Sequence, residues 1–150
     1  MSNIHIRGFI TVPQSIVDHA ETIKLENYKV NTPKRFQKHT QDTSDSEAFL
    51  EALSKSVGIP AGKLDYVYFS CCRGAEEHVD ELPSDKFEDT TFVVPVILPK
   101  GSCVMTVENE EAEVMIPLIY EFDHTKKHGL RLEDTESGCV MLMVAVKKAA

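Results

Sequence analysis

The sequence predicts a mainly β domain of the α+β class, with helices packed outside a β-sandwich or barrel. Helical patterns are confined to the first 60 residues, and from residue 64 onward nearly every segment has the pattern of a short strand. The chain has 150 residues and is 42% hydrophobic, which is enough to bury one core. We therefore expect a single domain over residues 1–150, with an N-terminal α/β segment at 1–60 and a β core at about 64–146.

The N-terminal segment predicts a strand, a helix and a polar loop, in that order. Residues 4–12 (IHIRGFITV) alternate as a half-buried strand does. Pro13 then fits the first turn of a short helix, PQSIVDHAETI. Residues 31–46 are polar and carry few apolar anchors, so we expect a loop that is more mobile than the β core.

A second helix is predicted in the segment SDSEAFLEALSKSVGIP. Phe49, Leu53 and Val57 recur every four residues and would form one apolar face. Ser44 and Glu47 have the spacing of a capping box. The glycine and proline at the end of the segment mark the end of the helix.

The β core is predicted from apolar segments that turn-forming stretches separate. The run FVVPVIL is apolar at successive positions, so both of its faces should be covered, and Pro95 within it indicates a bulge or an edge position. VENEEAEV predicts a hairpin with an acidic tip. The candidate strands are LDYVYFSCC (64–72), TTFVVPVILP (90–99), SCVMTVE (102–108), AEVMIPLIYEF (112–122) and GCVMLMVAV (138–146).

Composition and charge narrow the function classes. A net charge of −8 disfavours broad contact with a nucleic-acid backbone. No apolar run approaches the ~20 residues that a membrane span needs, and the start MSNIHIRGFI lacks the features of a secretory signal. We therefore expect a cytoplasmic protein with neither nucleic acid nor membrane as a partner, whose four cysteines are reduced core residues.

Two segments hold candidate metal ligands. GAEEHVDELP places His78 and Asp80 two residues apart, so on a strand both side chains would share a face and could reach one ion. YEFDHTKKHGLRLED places His124 and His128 at the end of a predicted strand. Glutamates crowd the first segment and lysines separate the two histidines of the second, so these residues alone also fit solvated turns.

The ligand types and their order carry a resemblance to a known family. Two histidines and one carboxylate on a rigid β-scaffold form a facial ligand set for iron(II) that leaves coordination positions open. The order His78-Val79-Asp80, a long gap and then His128 resembles the H-x-D…H pattern of the 2-oxoglutarate/iron(II)-dependent dioxygenases. YVYFSCCRGAEEHVDE, TTFVVPVILPKG and FDHTKKHGLRLE are similar to the segments around that pattern, over about residues 64–146. The resemblance implies a double-stranded β-helix, also called a jelly roll.

The resemblance also implies a site and a reaction. His78, Asp80 and His128 would hold iron(II), with His124 as the alternative to His128. 2-Oxoglutarate would chelate the metal through its keto acid, and O2 would take the remaining position. Oxidative decarboxylation to succinate would be coupled to hydroxylation of a C–H bond in a protein side chain or a small molecule. No catalytic residue is implied beyond the three ligands.

The chain departs from the family where many members anchor 2-oxoglutarate. Those members carry an arginine about ten residues after the distal histidine, and it pairs with the far carboxylate through two hydrogen bonds. Here Gly138 and Cys139 occupy that region. The candidates to take over co-substrate binding are Arg131, Lys100, Arg73 and the hydroxyl group of Tyr68.

Two other functions also fit these residues. A cupin-like metal-binding protein would keep the fold and the metal without 2-oxoglutarate, and the missing arginine favours it, although a cupin usually has H-x-H in place of H-x-D. A non-catalytic protein-binding module would use the same fold for recognition, with the charge of −8 as its working feature. Of the three functions, the sequence favours the iron(II)- and 2-oxoglutarate-dependent hydroxylase.

Overall fold

The computed structural model describes residues 2–27, 32–35, 43–80 and 82–148. In this part of the chain, ten strands and two helices are present. The helices are α1 (Gln14–Asn27) and α2 (Thr43–Val57), and a 3-10 turn at Ala61–Lys63 follows α2. The strands are β1 (Ile4–Phe9), β2 (Thr32–Arg35), β3 (Leu64–Cys72), β4 (Ala75–His78), β5 (Phe87–Ile97), β6 (Cys103–Val107), β7 (Glu110–Glu113), β8 (Leu118–Asp123), β9 (His128–Leu132) and β10 (Cys139–Lys147).

The strands form two antiparallel sheets. The larger sheet has six strands in the order β1-β8-β5-β10-β3-β2, and the smaller has four in the order β4-β9-β6-β7. Of these neighbours, only β2–β3 and β6–β7 are consecutive along the chain. Most pairings therefore join segments that are distant in sequence, and this is how the candidate ligands come together.

Two apolar cores lie on opposite faces of the larger sheet. Alternate residues of β5 and β10, such as Phe92 and Leu142, pack in one cluster with α1 and α2. The residues between them, such as Val93 and Met141, pack with Met105 of the smaller sheet. Both faces of the run FVVPVIL are thus covered, as its unbroken apolar pattern predicts.

Helix α2 has the periodicity and the end that the sequence predicts. Phe49, Leu53 and Val57 are buried in the core beneath the helices. Gly58 has a φ of 73°, and its N–H donates to the Ser54 carbonyl at 2.9 Å. A glycine in the left-handed region therefore ends the helix. The predicted helix is confirmed, with its start one residue earlier.

Pro95 lies in a bulge within the middle of the larger sheet. Strand β5 is flanked by β8 and β10, but its ladder with β8 covers residues 90–93 and ends before Pro95. The register between β5 and β10 shifts at this point, because Val140 pairs with Ile97 whereas Met141 pairs with Pro95. The extra residue on β5 disrupts the ladder at the position where proline has no N–H to donate.

The strand predicted at residues 112–122 is interrupted. Strand β7 ends at Glu113 and β8 begins at Leu118. The Tyr120 hydroxyl stabilises the interruption, because it donates to the Glu113 carbonyl at 2.7 Å and accepts from the Met115 N–H at 2.9 Å. The apolar run therefore includes the turn between β7 and β8, which the Tyr120 side chain holds in place.

The polar segment at residues 31–46 is not a loop throughout. Thr32–Arg35 forms β2, which pairs with β3 at one edge of the larger sheet, and α2 begins at Thr43. Residues 31 and 36–42 lie outside the described residues, and so does the mobility predicted for this segment.

The prediction of a mainly β chain is confirmed, since strands dominate and two helices are described. The helices pack on the face of the larger sheet that lies away from the smaller sheet. Neither described helix is long and apolar enough to cross a bilayer.

Candidate metal centre

The candidate ligands meet where β4 and β9 pair. Strand β4 ends at His78 and β9 begins at His128, and these residues are direct partners in the antiparallel register. Their ring centroids are 4.5 Å apart. Asp80 follows just after β4, and its backbone N–H donates to the His124 carbonyl at 3.0 Å. Backbone hydrogen bonds therefore place all three side chains at one end of the smaller sheet.

The donor atoms of the three side chains converge. Ligand atoms of His78, Asp80 and His128 all lie within 4.8 Å of one another. The His78 Nε2 atom is 3.4 Å from Asp80 Oδ1, and the His128 Nε2 atom is 3.2 Å from Asp80 Oδ2. Two imidazoles and one carboxylate are the donor set that binds iron(II) in non-haem oxygenases and leaves positions open.

Backbone carbonyls orient both rings. The His78 Nδ1 atom is 2.8 Å from the Glu76 carbonyl, and the His128 Nδ1 atom is 2.8 Å from the Lys126 carbonyl. A carbonyl oxygen only accepts, so each Nδ1 carries a hydrogen, and each Nε2 of a neutral ring has a free lone pair. Both lone pairs face the Asp80 carboxylate, an arrangement that needs a cation or a proton between the groups. Metal-bound histidines are oriented by the same kind of contact.

Asp80 supplies the negative charge of the site. Burial by itself raises the pKa of Asp80, but the hydrogen bond with His128 and the charges of His128, His78 and His124 outweigh burial. The net pKa of this carboxyl is therefore below its ordinary value. Asp80 is ionised at neutral pH and would offset part of the charge of a divalent cation.

The site is closed around His128 and open around His78. The His128 side chain is 8% exposed, and its ring centroid lies 4.6 Å from that of Phe122. The His78 side chain is 47% exposed. Phe122 therefore holds the His128 ring against the core, while solvent or a ligand can approach from the β4 side.

Gly129 allows β4 and β9 to approach closely. A Cβ atom at this position would lie 2.8 Å from the Ala75 carbonyl oxygen and 3.3 Å from the Glu77 nitrogen. Both distances are shorter than an ordinary van der Waals contact, so a larger residue would push the strands apart. The glycine of the HGL sequence is thus needed for the pairing of His78 with His128, a role that the sequence pattern alone does not assign.

His124 supports the site without joining the three side chains. It is buried, and its Nδ1 atom is 2.8 Å from Thr91 Oγ1. Its carbonyl accepts from the Asp80 N–H, and its own N–H donates to the Asp89 carbonyl at 3.0 Å. Within the described chain, the cluster of side chains able to hold a metal contains His128 and not His124.

A cavity of about 110 Å³ opens beside the three side chains, between the two sheets. Beyond the candidate ligands, Tyr68 and Ser70 of β3 contribute the polar side chains of its lining. The remaining lining is apolar and includes Val93, Met105, Phe122, Leu130, Met141 and Met143. Sequence reasoning missed Ser70 and the methionines. Alternation along β3 places Ser70 on the same face as Tyr68, but only the strand register places the methionines beside them.

Of the residues predicted to bind a co-substrate, Tyr68 lines this cavity and the basic ones lie elsewhere. Arg131 is exposed, and its guanidinium donates to both Glu111 carboxylate oxygens at 3.1 and 3.3 Å. This hydrogen bond and the charge of Glu111 raise the pKa of Arg131. Lys100 is exposed in the turn after β5, where its backbone N–H donates to the Ser137 hydroxyl at 2.9 Å.

Neither Arg73 nor strand β10 contributes a basic side chain to the described lining of the cavity. The Arg73 Nε–H donates to the Thr135 carbonyl at 2.9 Å, and its guanidinium lies 3.6 Å from the Glu136 carboxylate. Cys139, in the region where many members of the family that the sequence resembles carry arginine, is buried in the core between the sheets. Among the side chains that the structure describes, no lysine or arginine lines the cavity.

The chain is similar in fold to a solved structure along its whole length. That structure is the crystal structure of a Pseudomonas putida prolyl-4-hydroxylase, which matches with a TM-score of 0.63 at 10% sequence identity. The match covers 99% of this chain and 94% of that chain. No family model matches the sequence, and no curated protein matches it. An identity this low shows a shared fold, and the site has to carry the functional argument.

Proposed function

We propose that the chain is an iron(II)-dependent oxygenase that uses a 2-oxo acid as co-substrate and hydroxylates a protein side chain or a small molecule. The observation that carries the proposal is the convergence of two imidazole nitrogens and one carboxylate at the edge of a cavity. The fold likeness to a structure described as a prolyl-4-hydroxylase supports the same class. 2-Oxoglutarate is the 2-oxo acid that the resemblance in sequence implies.

We further infer that the two sheets are the two halves of a double-stranded β-helix. Support comes from the shared apolar core between the sheets and from the fold likeness over 99% of the chain. In this layout the smaller sheet carries the candidate ligands at one end. The cavity lies between the sheets, where side chains from both of them can contact a bound molecule.

Each residue of the proposed site has a defined task. His78, Asp80 and His128 would hold iron(II), and the His124 carbonyl holds the Asp80 segment in place. Iron(II) bound there would activate O2, whose two atoms end in the carboxylate left when the 2-oxo acid loses CO2 and in the hydroxyl group of the product. The apolar cavity walls would contact the bound molecule on the side away from His78.

A metal-dependent activity without a 2-oxo acid, as in a cupin-like protein, is the second candidate. The observation that favours it is the absence of lysine and arginine from the described lining of the cavity. A protein-binding module that needs no metal is the third. It gives no reason for two imidazole nitrogens and a carboxylate to converge as they do.

An anaerobic titration distinguishes the three functions. Iron(II) is added first and a series of 2-oxo acids second, while the weak visible charge-transfer band of the chelate is recorded. A band supports the proposed function, and metal binding with no band for any 2-oxo acid supports the second candidate. Absence of metal binding leaves the third. Proline-containing peptides are the first substrates to assay, because the similar structure is described as a prolyl-4-hydroxylase.

A further inference from the structure

The cavity beside the candidate ligands is apolar where a dicarboxylate would need a cation. Apart from the candidate ligands, the described lining has two polar side chains, the phenol of Tyr68 and the hydroxyl of Ser70. Three methionines also line it, Met105 from β6 and Met141 and Met143 from β10. The described lining therefore offers a hydrophobic surface next to a metal centre, with no positive charge to pair with a second carboxylate.

The basic residues that could take this task lie outside the described lining of the cavity. Arg131 pairs with Glu111 on the exposed face of the smaller sheet, and Arg73 bonds the Thr135 carbonyl. Lys100 lies beyond the C-terminal end of β5. The candidate ligands lie toward the other end of that strand, where His124 bonds the carbonyl of Asp89.

A carboxylate buried in such a lining would lose its water and gain at most the hydroxyl groups of Tyr68 and Ser70 as donors, with no cation among the described side chains. An unpaired buried charge is among the most unfavourable groups in a protein interior. A hydrocarbon tail would instead gain from the transfer out of water, in proportion to the apolar area that it buries. The described lining thus does not fit the second carboxylate of 2-oxoglutarate, although the donor set fits the metal that would bind the keto acid head.

We propose that the cavity binds a 2-oxo acid with an uncharged, apolar and branched tail in place of 2-oxoglutarate. This inference rests on the proposed function, because the keto acid head needs the metal held by the three ligands. The tail packs among Met105, Met141 and Met143. Methionine side chains are flexible and polarisable, so they adapt to the shape of a branched hydrocarbon group.

Two 2-oxo acids with the same head and the same main-chain length provide the test. 4-Methyl-2-oxopentanoate ends in a branched hydrocarbon, whereas 2-oxoglutarate ends in a carboxylate. The protein is first titrated with manganese(II) in a calorimeter, and each acid is then titrated anaerobically into the metal-loaded protein. We expect 4-methyl-2-oxopentanoate to bind on the order of 100-fold more tightly, because its tail leaves no buried charge unpaired.

The outcomes separate this inference from the proposed function. If manganese(II) does not bind, the proposed function fails and the inference fails with it. If the metal binds but neither acid does, the inference fails and the second candidate function stands. If 2-oxoglutarate binds as tightly as the branched acid or more tightly, the inference is overturned.

A cation introduced into the cavity tests where the tail lies. Met143→Arg places a guanidinium in the lining, opposite Tyr68 in the strand register. We expect it to weaken 4-methyl-2-oxopentanoate binding by at least about 10-fold and to strengthen 2-oxoglutarate binding, because a charge-assisted pair becomes available to the carboxylate. Met115→Arg is the matched control, since Met115 is 46% exposed and lies outside the lining. Ser70→Lys replaces Met143→Arg if that variant does not fold, and unchanged relative affinities in the folded variant overturn the inference.

Discussion

Replacing Gly129 with alanine tests whether the close packing of β4 on β9 holds the candidate ligands in place. The new Cβ atom would lie 2.8 Å from the Ala75 carbonyl oxygen, which is 0.6 Å short of the 3.4 Å at which ordinary contact begins. Because that neighbour is backbone, the strands must separate by a distance of this order. His78 and His128 lie on the two strands that would separate, and metal–ligand distances tolerate only about ±0.2 Å.

We expect Gly129→Ala to lower the free energy of unfolding by about 1–3 kcal/mol, the cost typical of overpacking. Affinity for manganese(II) should fall about 10- to 100-fold, as it does when a group that orients metal ligands is lost. Urea unfolding of the metal-free protein and calorimetric titration measure the two effects separately. Gly62→Ala is the control, because a Cβ atom there meets nothing within 4 Å. If Gly129→Ala binds manganese(II) as tightly as the parent protein, the reasoning is refuted.

Alanine at any one of the three proposed ligands should abolish tight manganese(II) binding in calorimetry. His124→Ala should weaken that binding about 10- to 100-fold at most. If His124→Ala abolishes binding and His128→Ala does not, then His124 is the ligand in place of His128. Leu53→Ala should lower the free energy of unfolding in urea by about 2–5 kcal/mol, because Leu53 is fully buried beneath the helices. Its affinity for manganese(II) should stay unchanged, because the candidate ligands lie beside the other core, between the sheets. Glu110 accepts the backbone N–H groups of Asn3 and Ile4, and the bond from Asn3 holds the pKa of this carboxyl below its ordinary value. Ionised Glu110 therefore stabilises the folded state above the ordinary carboxyl pKa, and this contribution is lost as the pH falls through the lowered pKa of the folded state. Glu110→Gln removes the titrating group, so a plot of the urea midpoint against pH should be flatter on its acid side. An acid side as steep as that of the parent would count against the Glu110 contacts.

Features that depend on neighbours in the chain were predictable from the sequence. The periodicity of α2 and the glycine at its end are local, and the bounds of β3 agree with those predicted. The two-residue spacing of His78 and Asp80 is local as well. Strand β9 escaped prediction because it has only five residues, and Gly129 and Arg131 interrupt its apolar pattern.

Features that depend on the pairing of distant strands were not predictable from the residues alone. The choice of His128 over His124 came from a family resemblance, since no local pattern shows that His128 pairs with His78. The cavity lining depends in the same way on the register of β10 with β3, which sets Met141 opposite Ser70. Strand β2 has a polar sequence with a proline, and its pairing with β3 makes it a strand. The sequence thus indicated the chemistry of the ligands, and the structure showed the character of the space beside them.

The central claim is that His78, Asp80 and His128 together hold one divalent metal ion. Calorimetric titration of the parent protein and of Asp80→Ala with manganese(II) tests it most directly, because Asp80 is the only anion among the three proposed ligands. We expect one ion to bind per chain of the parent and tight binding to be lost in the variant. A parent protein that gives no heat of binding, or a variant that still binds one ion as tightly, would contradict the claim.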